Sequence, residues 1–158
     1  MLFIKMGGGI FYFLKRLWYK RRYKKLGVKL GFSIGERVFG YGLVLHHYGT
    51  IVVGNDNTIG NYAILHTSTL IIQNGSEIGD GLFLGAGAKI IKRVKLGNNV
   101  WIGANSVVNS SFPSNVVVAG IPSEIKKNNQ GGWYQYAYSE KWMRRYLEVE
   151  RIKNDYCL

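Results

Sequence analysis

The chain has three histidines, His46, His47 and His66, and one cysteine, Cys157, beside its end. An imidazole titrates at about pH 6.5, so at neutral pH it can take a proton from a weak nucleophile such as a hydroxyl and return it to a leaving group. Histidine also ligates zinc, but a zinc site needs three or four converging ligands. Twenty residues separate His46 from His66 and no histidine follows, so no metal is expected. Two further stretches are unusually small: Gly85-Ala86-Gly87-Ala88 and Gly103-Ala104. Side chains of this size let a long, thin ligand lie against the backbone and its amides.

A period brings these distant residues together. Aliphatic or aromatic residues recur as Phe39, Leu45, Ile51; Ile59, Leu65, Ile71; Ile78, Leu84, Ile90; and Leu96, Ile102, Val108. The step is six within each group of three and eight, seven and six between groups. Glycine often follows, as at Gly40, Gly60, Gly79, Gly85, Gly97 and Gly103. A period of six does not suit an amphipathic helix, and a plain meander would lack the glycine column. The pattern fits a chain winding in triangular coils, each short side pointing one aliphatic residue inward. Three hexads make one coil. Val28 and Ile34, six apart, are read as the start of an earlier coil, and Gly54-Asn55-Asp56-Asn57 is expected to bulge at a corner. His46 and His66 then fall in one column that continues upward as Gly85 and Gly103. Beside them run His47, Thr67, Ala86 and Ala104.

The net charge of +12 is uneven. Residues 1–25 hold eight Lys or Arg and no acid, residues 26–125 six against five, and residues 126–158 seven against four. The organisation expected is a basic aromatic helical leader at 1–25, a coil at 26–127, and a linker with a C-terminal helix at 128–158. The leader's apolar run is too short and too charged to span a bilayer. It either lies on an anionic membrane surface or docks on the coil with its charges in water. A nucleic-acid arm ranks lower, because no recognised nucleic-acid fold follows, and no nucleic-acid partner is expected. A single cysteine excludes an intrachain disulfide framework and points to a reducing, cytoplasmic setting, with the inner face of the cell membrane as the variant the leader suggests. Near the C-terminus, Ser139 can cap a helix whose Tyr138, Trp142, Tyr146, Val149, Ile152 and Tyr156 form an aromatic packing stripe.

The segment Leu45-His46-His47-Tyr48-Gly49-Thr50-Ile51-Val52-Val53-Gly54 resembles the Leu-Asp-His-x-x-Gly-Ile-Val-hydrophobic-Gly segment of bacterial serine acetyltransferases. Gly85-Ala86-Gly87-Ala88-Lys89-Ile90, then Ile102-Gly103-Ala104-x-Ser106-Val107-Val108, then Ala119-Gly120-Ile121-Pro122 follow in that family's order. The likeness covers about residues 26–127. It implies a mainly β fold, a left-handed parallel β-helix of hexapeptide repeats with short helical extensions at both ends. It implies a homotrimer with the active site between two subunits. It also implies acetyl-CoA as co-substrate and His47 as general base for acetyl transfer to a hydroxyl. His46, Tyr48 and His66, which lie close to His47, are candidates for acceptor binding, with a packing role as the alternative for His46 and His66. Gly85, Ala86, Gly103 and Ala104 are candidates for holding the cofactor, with Lys126 or Lys127 near its phosphates.

The chain also departs from that family. His46 replaces the Asp beside the base, and no Asp on the preceding coil matches the one that orients it; Ser33, Glu36 or a backbone carbonyl is left for that task. The longer Arg-His loop before the Gly-Ala stretch is missing. Such a short form is more similar to the enzymes of polysaccharide clusters, which implies a sugar hydroxyl of a surface polysaccharide or its lipid-linked precursor as acceptor. L-serine is the alternative acceptor. A non-catalytic β-helix scaffold is the alternative of another class, and a zinc enzyme resembling the γ-class carbonic anhydrases is disfavoured because no histidine stands above His66.

Overall fold

The computed structural model describes residues 10–132 and 140–155. A helix, α1 (Ile10–Leu30), leads into twelve strands of two or three residues: β1 (Phe32–Ile34), β2 (Val44–Leu45), β3 (Ile51–Val53), β4 (Thr58–Ile59), β5 (Ile64–Leu65), β6 (Thr69–Ile71), β7 (Glu77–Ile78), β8 (Phe83–Leu84), β9 (Lys89–Ile90), β10 (Lys95–Leu96), β11 (Trp101–Ile102) and β12 (Val107–Val108). Two longer strands, β13 (Val116–Gly120) and β14 (Ser123–Asn128), and a helix, α2 (Glu140–Asp155), complete it. From β2 to β12 every third strand stacks in register, with β1 joining β3 and β13 joining β11, giving three walls: β1-β3-β6-β9-β12, β4-β7-β10, and β2-β5-β8-β11-β13-β14. All pairings are parallel except β13 with β14, a hairpin that adds a final strand to the third wall. The parallel solenoid expected from the period is present.

The wall interiors are the aliphatic ladders. Leu45, Leu65, Leu84, Ile102 and Val118 stack along the third wall; Val53, Ile71, Ile90 and Val108 along the first; Ile59, Ile78 and Leu96 along the second. Most are fully buried, and burying each such side chain contributes about 1.5–3 kcal/mol. No strand of two residues is stable alone. The stack is held because each coil covers the apolar floor of the next.

Three sequence expectations are corrected. Val28 starts no coil. It lies in α1 and is 83% exposed, because the helix continues past residue 25 until Gly31, at φ +80°, ends it in the left-handed conformation that glycine accepts. Ile51 is buried but is not the ladder residue of its wall. Val53 pairs with Ile71, and Ile51 pairs with Thr69. Both point inward because they sit two apart on one strand. The two spare residues therefore lie between Leu45 and Val53, at His46–Thr50, and not at Gly54–Asn57. Asn57 is instead buried, its amide donating to Gly54 and Ile72 carbonyls and its oxygen accepting from Ser76 N–H.

The corner between the second and third walls is closed by a side-chain ladder. Tyr41 N–H donates to Asn61 Oδ1, Asn61 N–H to Asp80 Oδ1, Asp80 N–H to Asn98 Oδ1, and Asn98 N–H to Ser114 Oγ, all at 2.7–2.9 Å. α2 leans on the same corner. Tyr146 and Val149 pack on Tyr41 and Tyr62, and the Tyr62 hydroxyl donates to Glu150. The packing stripe is thus confirmed at Tyr146 and Val149. Tyr138, Ser139, Tyr156 and the side chain of Trp142 lie outside the described residues.

Candidate functional site

The third corner, where β2, β5, β8 and β11 turn toward the first wall, carries the histidines. Backbone register puts His46, His66, Gly85 and Gly103 in one column: His46 N–H donates to Leu65 O, His66 N–H to Leu84 O, Gly85 N–H to Ile102 O, and Gly103 N–H to Val118 O. The rings of His46 and His66 stack, with centroids 4.6 Å apart and planes 15° from parallel. His47 stands beside them, 6.1 Å from His46. His66 also meets Phe83 at 5.2 Å. Tyr48, at the tip of the two-residue insertion, is 81% exposed. The column expected from the period therefore forms, and the insertion displays His47 and Tyr48 outward.

Burial lowers the His66 pKa below the ordinary imidazole value, and positive charge on His46 or His47 lowers it further. Adjacent stacked rings cannot both ionise cheaply, so His66 favours its neutral form.

Above the histidines the column is bare. A Cβ at Gly85 would lie 2.7 Å from Ala104 N and 2.8 Å from Ile102 O, so glycine is what permits this coil spacing. The amides that remain available are not those of the glycines, which the ladder uses. Among the described residues, the N–H groups of Ala86 and Ala104 make no hydrogen bond. Gly87 N–H donates to Thr67 O and Asn105 N–H to Ala86 O, which fixes the orientation of this Thr67–Ala86–Ala104 file. Lys126 on β14 is paired to Glu124 at 3.3 Å. Glu36 is held by Lys20 at 2.9 Å, and this partner pulls its carboxyl below the usual range. Ser33 sits on β1 opposite Val52. Among the described residues neither Glu36 nor Ser33 is hydrogen-bonded to His47.

One connection was not anticipated. Gly49 N–H donates to Leu30 O at 2.9 Å, and Ile51 N–H to Gly31 O at 3.1 Å. The end of α1 is thus bonded to the histidine-bearing insertion. A Cβ at Gly31 would lie 2.8 Å from Gly49 O, so glycine permits this close approach. A shallow hollow of about 370 Å³ on the first wall, over Ser33, Val52 and Leu70, holds no titratable side chain and lies apart from this corner.

Residues 75–110 match the family described as bacterial transferase hexapeptide (six repeats). The solenoid is a hexapeptide-repeat domain. Serine acetyltransferase of Staphylococcus aureus (strain N315) is 37% identical over 106 residues, 63% of this chain and 47% of that protein. A solved serine acetyltransferase in complex with CoA is 30% identical, with TM-score 0.51, over 70% of this chain and 51% of that one. The Neisseria gonorrhoeae serine acetyltransferase in complex with serine is 29% identical, with TM-score 0.50, over 67% and 50%. The chain thus spans about half the length of these relatives. Among the described residues no cluster of three His, Cys, Asp or Glu side chains is placed to hold a metal ion, and no helix is long and apolar enough to cross a membrane.

Proposed function

We propose that the chain transfers an acetyl group from acetyl-CoA to a hydroxyl at the histidine corner. The observation that carries this is that an outward His47 and a bare file of small residues, whose Ala86 and Ala104 amides are unused, share one corner of the solenoid. His47 takes the hydroxyl proton as the oxygen attacks the thioester carbonyl. An amide of the bare file donates to the oxyanion of the tetrahedral intermediate. The intermediate collapses with cleavage of the C–S bond, and the imidazolium returns its proton to the CoA thiolate. Acetyl-CoA lies along Gly85, Ala86, Gly103 and Ala104, and Lys126 reaches its phosphates by leaving Glu124. His46, Tyr48 and His66 bound the acceptor. The working unit is a homotrimer in which the corner of one subunit faces the bare file of the next, and it acts on the cytoplasmic side, where the donor is available.

L-serine is the acceptor that the relatives favour, since those named above are serine acetyltransferases and one is solved in complex with serine. A sugar hydroxyl is the second reading. It is favoured by the plain five-residue connection Ile72–Ser76 between β6 and β7, where the resemblance calls for a longer loop. Release of free CoA thiol, followed with L-serine and with a panel of sugars in parallel, separates the two. Acceptor-dependent release with serine supports the first, and release only with a sugar supports the second. No acceptor-dependent release with either removes the enzymatic reading and leaves the scaffold.

A further inference from the structure

We propose that α1 is a docking helix for an anionic lipid bilayer surface. Over its 21 residues it carries eight Lys or Arg and no acid, and its second half is tied to the solenoid. There Tyr23 O–H donates to Ile34 O, and Lys20 pairs with Glu36. Toward its start it is unusually apolar for an exposed helix: Phe11 is 78% exposed, Phe13 63%, Leu14 53% and Trp18 51%.

Water alone does not favour this composition. Leaving several large apolar side chains uncovered forgoes the stabilisation that burial would give each. A bilayer interface satisfies both halves. Aromatic and leucine side chains enter the headgroup boundary, and the surrounding Lys15, Arg16, Arg21, Arg22, Lys24 and Lys25 meet lipid phosphates. The arginine at 22 lies over the Trp18 ring, 4.7 Å from its centroid, so the cation and the aromatic anchor act at one place. The helix does not segregate its charges to one face, which suits long Lys and Arg side chains that reach to the surface from the flank. Because Leu30 O is bonded to Gly49, docking also fixes the histidine corner relative to the bilayer. That last consequence rests on the acetyl-transfer reading; lipid binding itself does not.

The test is co-sedimentation of the full chain with phosphatidylcholine vesicles and with vesicles that also contain phosphatidylglycerol, at low and physiological salt. The anionic vesicles should bind the chain and the neutral ones should not, with affinity falling as salt rises. The variant K15Q/R16Q/R21Q/R22Q should lose roughly a hundredfold or more, at about fivefold per cation. L14S/W18S should weaken what binding persists at physiological salt. Circular dichroism should show both variants folded. Equal binding to neutral and anionic vesicles, or undiminished binding by both variants, overturns the proposal. So does an L14S/W18S variant of lower sedimenting mass in a chain that ignores vesicles, since a second copy would then cover this face. Binding to a nucleic acid with no binding to anionic vesicles overturns it equally.

Discussion

Two corners of one prism carry glycine after the ladder residue and use it for opposite ends. At the asparagine corner Gly60 and Gly79 leave room for a side chain of the coil above, and Asp80 and Asn98 fill that room while accepting the N–H of the residue that follows each glycine. At the histidine corner Gly85 is equally hemmed in, but Ala86 and Ala104 bring no acceptor, and their own amides stay unpaired among the described residues. The first column is closed by hydrogen bonds and partly roofed by α2. The second is an open file beside three imidazoles. The same glycine position becomes a strut where polar side chains follow it, and under the proposed function it becomes a ligand bed where alanine follows.

The largest effect should come from the open corner. His47→Ala should lower acetyl-CoA turnover by roughly 100- to 10,000-fold, the loss expected when a general base is removed, with the thermal midpoint unchanged. A steady-state rate that stays near wild type would move the chemistry away from this side chain.

The closed corner should respond in stability and not in rate. Gly60→Ala drives a Cβ into Asp80, so unfolding in urea should show a loss of about 2–3 kcal/mol from overpacking and a broken N–H acceptor. Asn98→Ala removes the acceptor of Asp80 N–H without adding bulk, and about 1–2 kcal/mol should go. Acetyl-CoA affinity should be unaffected in both. A change in affinity as large as the change in stability would mean the two corners are not separate devices.

The smallest effect concerns pH. The His66 pKa is lowered on folding, so the unfolded chain binds its proton first. The associated stability is intact above the unfolded imidazole range of about 6.5 and is lost as pH falls through that range toward the depressed folded value. His66→Gln should flatten the melting temperature against pH below neutrality. An unchanged slope there would remove His66 as its cause, since Glu36 and Glu150, whose carboxyls are held low, lose their contribution only below the ordinary carboxylate range.

The walls were legible because the hexad is a covalent period, and Leu65, Leu84 and Ile102 could stack in no other way. The His46–His66 column followed from the same arithmetic. The register of β3 did not, because Ile51 and Val53 are both inward and sequence spacing alone cannot choose between them. That ambiguity placed the insertion at Gly54–Asn57 instead of at the histidines. The end of α1 was misread for a related reason: Val28 and Ile34 share the period, but a helix already running stops at Gly31, not at a hydrophobic coincidence. The difference between the two glycine columns stood in the residue after each glycine, Asn61, Asp80 and Asn98 against Ala86 and Ala104. Its meaning required the coil above.

Hydrogen–deuterium exchange with and without CoA tests the division of labour most directly. In the free chain the amides of Ala86 and Ala104 should exchange quickly, and CoA should protect them. The amides of Asn61, Asp80 and Asn98, already bonded, should exchange slowly in both states. CoA-dependent protection centred on the asparagine corner, with Ala86 and Ala104 unchanged, would contradict the account.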